Sequence, residues 1–169
     1  MERWDVYNAE RGKTGKTMVR GERFEEGALH LVVHVCIFST DGRMLIQQRQ
    51  KDKQGWPGFW DITVGGSAVA GEDAQTAASR ELNEELGIRV DLTGVRPNLT
   101  VNFDHGFDDI FLVEKDVKLS ETVLQAEEVQ NVKWATREEI RQMITDHTFI
   151  PLFSITTLPG SSSVILPLI

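Results

Sequence analysis

The segment from Glu72 to Leu86 constrains this chain more than any other. Positions 74, 77, 78, 81 and 85 recur by threes and fours, so on a helix they share one face. That face begins with Ala74, Ala77 and Ala78, whose small side chains let a helix lie close against a sheet. It continues as Glu81 and Glu85, with Glu84 one step to the side. The acids prolong the packing face instead of opposing it. A solvated acidic surface is the ordinary explanation for clustered glutamates, but it would place them opposite the alanines. Like charges at helical spacing cost ~0.2–0.5 kcal/mol per pair even in water. Partly desolvated carboxylates this close stay ionised together only if a cation neutralises them. Oxygen ligands without His or Cys suit Mg²⁺ or Mn²⁺ and not zinc. Gly87 stands where a helix from about Glu72 to Leu86 needs its C-terminal cap.

The rest of the chain supplies the sheet. "ALHLVVHVCIFS" (28–39) is aliphatic and β-branched, and Asp41-Gly42 predicts a hairpin returning through "RMLIQQRQ". "QGWPGFW" reads as a rigid loop, followed by a short strand in "DITVGG". Further strands are expected at "IRVDL", "NLTVNF", "DDIFLVE" and "VQNVKWA". "TREEIRQMITDH" predicts a second helix, with Thr136 and Glu139 forming a capping box. Residues 1–27 form a polar, turn-rich extension with a short hairpin expected around Gly12–Gly15. "GKTGKT" there is a decoy for a phosphate-binding loop: Glu10 stands where its first glycine belongs, and no buried strand precedes it. The tail from Thr148 to Ile169 carries no interpretable period, leaving packing on the domain, bridging of a homodimer, or disorder all open.

Many strands with two helices predict an α+β fold, a mixed β-sheet packed between helices. With 169 residues, 40% of them hydrophobic, one domain is expected over 1–169. The balance of 18 Lys+Arg against 26 Asp+Glu, a net charge of -8, disfavours nucleic-acid polymers and anionic membranes as partners. A single cysteine, Cys36, forbids an internal disulfide and suits a reducing compartment. No secretory signal and no apolar run of ~20 residues is present, so a cytoplasmic protein is expected.

From Gly66 the chain gives five residues, Glu72, seven residues, then Arg80-Glu81-Leu82-Asn83-Glu84-Glu85-Leu86-Gly87-Ile88. This resembles the Nudix box, Gly-x5-Glu-x7-Arg-Glu-U-x-Glu-Glu-x-Gly-U with U aliphatic, and fills all nine specified positions over residues 66–88. The resemblance implies a Nudix-type α/β/α sandwich and a divalent-metal-dependent hydrolase of small-molecule diphosphates. It also implies roles. Glu81, Glu84 and Glu85 would be metal-binding and catalytic, and Gly66 would offer its carbonyl to the metal. Glu72 and Arg80 would pair to brace the loop, and Gly87 and Ile88 would be architectural.

Residues 28–90 are similar more widely to the branch containing isopentenyl-diphosphate isomerase. That enzyme carries Cys-Gly-His where this chain has Gly65-Gly66-Ser67, and Cys36 lies on a different strand. Plain hydrolysis is therefore expected. An isomerase-like enzyme and a non-catalytic ligand-binding module are the alternatives, the second disfavoured by the complete set of glutamates. The same alignment places Arg49 and Lys53 where the diphosphate is held, against a solvated turn as the plainer reading. Trp56 and Trp60 either line a pocket or simply pack. His30 and His34 share one face of a strand and read as structural, and Cys36 as a small core residue. Asp108 or Asp109 is the candidate for a further acid outside the box, with Glu127 and Glu128 as alternatives.

Overall fold

The computed structural model describes residues 1–151. The longest strand, β3 (His30–Phe38), is the central one, and every second side chain of it is driven into a core: Leu31, Val33, Val35 and Ile37 are buried on one face. The chain enters it from a hairpin, β1 (Arg3–Tyr7) and β2 (Lys13–Val19), and leaves it through the Asp41-Gly42 turn into β4 (Met44–Arg49). Gly42 takes a φ of 82°, as the turn requires. The strands β5 (Trp60–Asp61), β6 (Val64–Ser67), β7 (Leu99–Phe103), β8 (Gly106–Glu114) and β9 (Val129–Ala135) complete the sheets. The helices are α1 (Ala74–Leu86) and α2 (Arg137–Thr145).

The main sheet runs β5-β4-β3-β8-β7, with β6 pairing β3 and β9 pairing β4. Among the described strands β3 and β8 pair in parallel and the other pairs are antiparallel, so the sheet is mixed. Helix α1 packs through Ala74, Ala77, Ala78, Leu82 and Leu86 on the face carrying Val33 and Val35. Ile140 of α2 joins Cys36, Met44 and Ile46 on the other face. The result is the expected α/β/α sandwich.

Strands β3 and β4 meet in register only at Phe38 and Met44, then diverge. Beyond that point β6 takes the place beside β3, while β5 and β9 flank β4. Thr63 bridges the split: its hydroxyl accepts the Ile37 amide at 2.8 Å and donates to the Leu45 carbonyl at 2.5 Å. The expected single strand in "DITVGG" is thus two short ones with this joint between them.

Three expectations change. The segment "IRVDL" forms no strand. Its alternation is used in packing along α1, where Ile88 and Leu92 are buried and the Ser79 hydroxyl donates to the Val90 carbonyl at 3.2 Å. Helix α1 begins two residues after Glu72, because the side chain of Asp73 accepts the Thr76 amide and stops the helix there. The N-terminal turn lies at Asn8–Gly12, closed by the Asn8 carboxamide on the Gly12 amide at 2.7 Å, and Gly15 falls inside β2.

Residues 1–27 are a docked element. Tyr7 is buried edge-on against Phe107, 5.2 Å between ring centroids, and pairs with Leu29. The hairpin also grips the loop ahead of α1. The Arg3 carbonyl accepts the Ala70 amide, Asp5 accepts the Gly71 amide, and Lys13 Nζ donates to the Glu72 carbonyl, each at 2.8 Å. The start of the expected tail is also fixed, since Trp60 exchanges backbone bonds with Thr148 and Ile150 and Phe149 is buried. Residues 152–169 of that tail lie outside the described residues.

Candidate active site

The loop 66–73 and helix α1 meet at Gly66. A Cβ on Gly66 would collide with the Glu81 carboxylate, so only glycine lets the acid approach this backbone. Gly87 ends the helix with φ 68°, its amide donating to the Asn83 and Leu82 carbonyls. The spacing of the box is therefore the geometry of a glycine under an acid at one point and a left-handed cap at another.

Arg80 organises the acids between them. Its guanidinium binds Glu72 through two bonds of 2.8 and 3.0 Å, and reaches Glu81 at 2.9 Å, Glu84 at 3.0 Å and the Ser67 carbonyl at 3.1 Å. The expected Glu72–Arg80 brace is present, but Arg80 also neutralises two of the acids proposed for a metal. Among the described residues no three His, Cys, Asp or Glu side chains converge on a common point. Glu81 and Glu84 face the guanidinium, and Glu84 is half exposed.

Glu85 differs from both. It is 8% exposed, and its one partner is the Gln47 amide, which donates at 2.7 Å. Burial pushes its carboxyl up to about 8, opposed by Gln47 and reinforced by the charges of Glu81, Glu128 and Asp61. Burial likewise raises Glu81, with Arg80 opposing and Glu84 adding to the shift. The carboxylates offer only oxygen donors, and the shortage of positive charge around Glu85 fits a hard dication.

Arg49 and Lys53 stand on the rim of this acidic centre, each beside an acid. Arg49 lies 3.7 Å from Asp61 and donates to the Gly55 carbonyl at 3.0 Å, and Lys53 pairs with Glu128. Of the acids outside the box, Glu128 and the unforeseen Asp61 are the ones whose charges act on Glu85. Glu127 is exposed. Asp109 is 1% exposed on the α1 face and is gripped by Arg11, with Thr100 donating to it at 2.6 Å. Asp108 points to the other face, where its Oδ2 meets His34 Nδ1 at 2.6 Å. Burial works against the His34 imidazolium, but the Asp108 bond and the charges of Asp108, Asp61 and Glu85 outweigh it and raise its pKa.

Cys36 is buried, and burial pushes its thiol up to about 12. His30 stacks on Trp4 at 4.5 Å, with burial pushing it down to about 4. Trp56 is 46% exposed against Phe59, and Trp60 lies under Lys133. A cavity of about 490 Å³ lies between the hairpin, the start of α1 and β8, lined by Arg11, Lys13, Ala74, Arg96 and Phe107, away from the glutamates.

Sequence reasoning missed Gln47, Asp61, Arg11 and the His34–Asp108 pair. Only the last left a signal, in the shared face of His30 and His34. Gln47 and Asp61 are set by strand register, lying opposite each other across β4 and β5, and Arg11 by the turn between β1 and β2.

Residues 28–153 match the NUDIX domain family. The chain belongs to the Nudix family. It is 50% identical over 158 residues to an uncharacterized Nudix hydrolase of Listeria monocytogenes, covering 94% of each protein. It is 31% identical over 125 residues to an isopentenyl-diphosphate Δ-isomerase of Salmonella arizonae, covering 69% of this chain and 67% of that one. The fold is similar to that of a Deinococcus radiodurans protein, DR0079, with a TM-score of 0.71 at 22% identity over 88% of this chain and 91% of that one. This Nudix hydrolase shares its fold with that structure, and its reaction class is hydrolysis of a diphosphate.

Proposed function

We propose that this Nudix hydrolase cleaves the diphosphate linkage of a small nucleotide-type or other organic diphosphate by attack of water at phosphorus, with Mg²⁺ or Mn²⁺ as cofactor. The observation that carries the reading is Glu85: a buried carboxylate beside Glu81, Glu128 and Asp61, with a neutral amide as its partner. Such a group destabilises the empty fold and makes sense where a dication completes it. The metal would supply charge neutralisation at the phosphoryl oxygens and a more acidic water.

The chain's own residues do the rest. Glu81, Glu84 and Glu85 would hold the metal, with the Gly66 carbonyl beside them, and one of these acids would take the proton of the attacking water. Arg80 keeps Glu72 and the loop in place. Arg49 and Lys53 bind the diphosphate by exchanging Asp61 and Glu128 for phosphoryl oxygens, a trade of one charge-assisted contact for another. Isomerase chemistry lacks support: Gly65 offers no thiol, and that of Cys36 is buried with its pKa raised. Phosphate release from a panel of diphosphates, with and without Mg²⁺, tests the reading. Release that needs Mg²⁺ is expected, and its absence across the panel overturns it.

A further inference from the structure

Gly65 and Gly66 are occupied from opposite sides. In register, Gly66 lies opposite Val33 on the face covered by α1, and Gly65 lies opposite His34 on the other face. A Cβ on Gly65 would collide with the His34 ring, with Nε2 2.5 Å away, as one on Gly66 would collide with Glu81. The ring therefore sets its Cδ2–Nε2 edge against the backbone next to the residue that supports Glu81. Adjacent Cα atoms are ~3.8 Å apart, so the ring is within one residue of the box.

The ring's two nitrogens are unequal. Nδ1 is tied to Asp108 Oδ2 at 2.6 Å. Nε2 has no partner among the described residues, and the side chain is 16% exposed. Asp108 Oδ1, by contrast, is sealed and unpartnered. A buried polar pair with an orphaned oxygen is poor scaffolding, since apolar residues of similar volume often stabilise a core as well or better. What the arrangement does achieve is a fixed ring, with Nδ1 held by Asp108 and Nε2 left unpartnered among the described residues.

We propose that His34 is a substrate-binding residue: Asp108 and Gly65 hold its ring so that Nε2 meets a phosphoryl oxygen of the diphosphate. This rests on the diphosphate reading above, and gives that substrate a contact from the face opposite α1. Asp108 is then a positioning residue and not a metal ligand.

The test separates the two nitrogens. His34→Asn places an amide where Nδ1 was, keeping the Asp108 bond and deleting Nε2. His34→Gln places an amide nitrogen near Nε2 and gives up the Asp108 bond. With Mg²⁺ present, calorimetry with methylenediphosphonate should show about tenfold weaker binding for His34→Asn, a loss of about 1.4 kcal/mol, and a smaller loss for His34→Gln. KM for hydrolysed diphosphates should follow the same order, with Mg²⁺ affinity unchanged. Wild-type affinity and KM in His34→Asn overturn the proposal, as does greater damage in His34→Gln. On the wild-type protein, which needs no variant to fold, methylenediphosphonate should shift the His34 Nε2 nitrogen resonance; an unmoved resonance also overturns it. A protein that binds the diphosphonate through His34 but hydrolyses nothing would sink the hydrolase reading alone.

Discussion

At the scale of single residues, Glu85 and Arg80 are neighbours on one helix with opposite duties. Glu85→Gln preserves shape, and the new amide oxygen can still accept from Gln47. The raised carboxyl means that between pH 4.5 and about 8 the folded chain binds more protons at Glu85 than the unfolded chain. Stability of the metal-free protein therefore falls as pH rises through that window, by at most ~1.4 kcal/mol per pH unit from this group. Glu85→Gln should flatten that fall and melt at or above wild type at pH 7. Its hydrolysis should drop steeply, since ~4 kcal/mol of lost transition-state stabilisation is roughly a thousandfold in rate. Thermal melts from pH 5 to 8 without metal, beside single-substrate kinetics with Mg²⁺, check both halves; a low-melting variant with normal turnover would make Glu85 structural. Arg80→Ala should behave inversely. It strands Glu72, Glu81 and Glu84 without their shared cation, so it should lose ~1–3 kcal/mol and melt low with or without Mg²⁺. Unchanged melting would deny Arg80 its bracing role.

At the scale of elements, the loop between β4 and β5 and the segment before β9 form one rim, closed by Lys53 on Glu128 and Arg49 beside Asp61. Neutralising both cations in Arg49→Gln, Lys53→Gln should raise KM about tenfold or more, as charge-assisted contacts to phosphate are lost, and leave Mg²⁺ affinity nearly unchanged. Wild-type KM and kcat in the double variant would make both residues part of an ordinary surface turn. How much of this was legible in the sequence follows from the range of the forces involved. The capping box of α2, the Gly87 cap and the Asp41-Gly42 turn are local rules, and each was read correctly. The spacing along α1 placed Glu81 and Glu85 on the face of Ala74, Ala77 and Ala78 because a helix turns a sequence interval into a fixed direction. The "IRVDL" alternation misled, since packing along α1 and pairing in a sheet call for the same pattern of side chains. Gln47, Asp61 and Asp108 owe their places to strand register, which no short window of sequence contains. The divergence of β3 and β4 was hidden for the same reason: its joint is the hydroxyl of Thr63.

At the scale of the whole molecule, the box loop is not the property of the matched family segment alone. That segment begins at residue 28, whereas the backbone just before α1 is tied to Arg3, Asp5 and Lys13 of the N-terminal hairpin. Opening the hairpin should therefore also open the loop. The amides of Ala70 and Gly71 should exchange with deuterium together with those of β1 and β2, as one cooperative unit, and sooner than those of β3. Removing residues 1–20 should accelerate exchange at Ala70 and Gly71 by about tenfold or more, on loss of ~1.4 kcal/mol of protection. Exchange unchanged by the truncation would show the loop to be self-supporting. The hairpin and the hydrolytic box are then mechanically one piece: a change of register between β1 and β2 is felt at Glu72, 59 residues along the chain from Lys13.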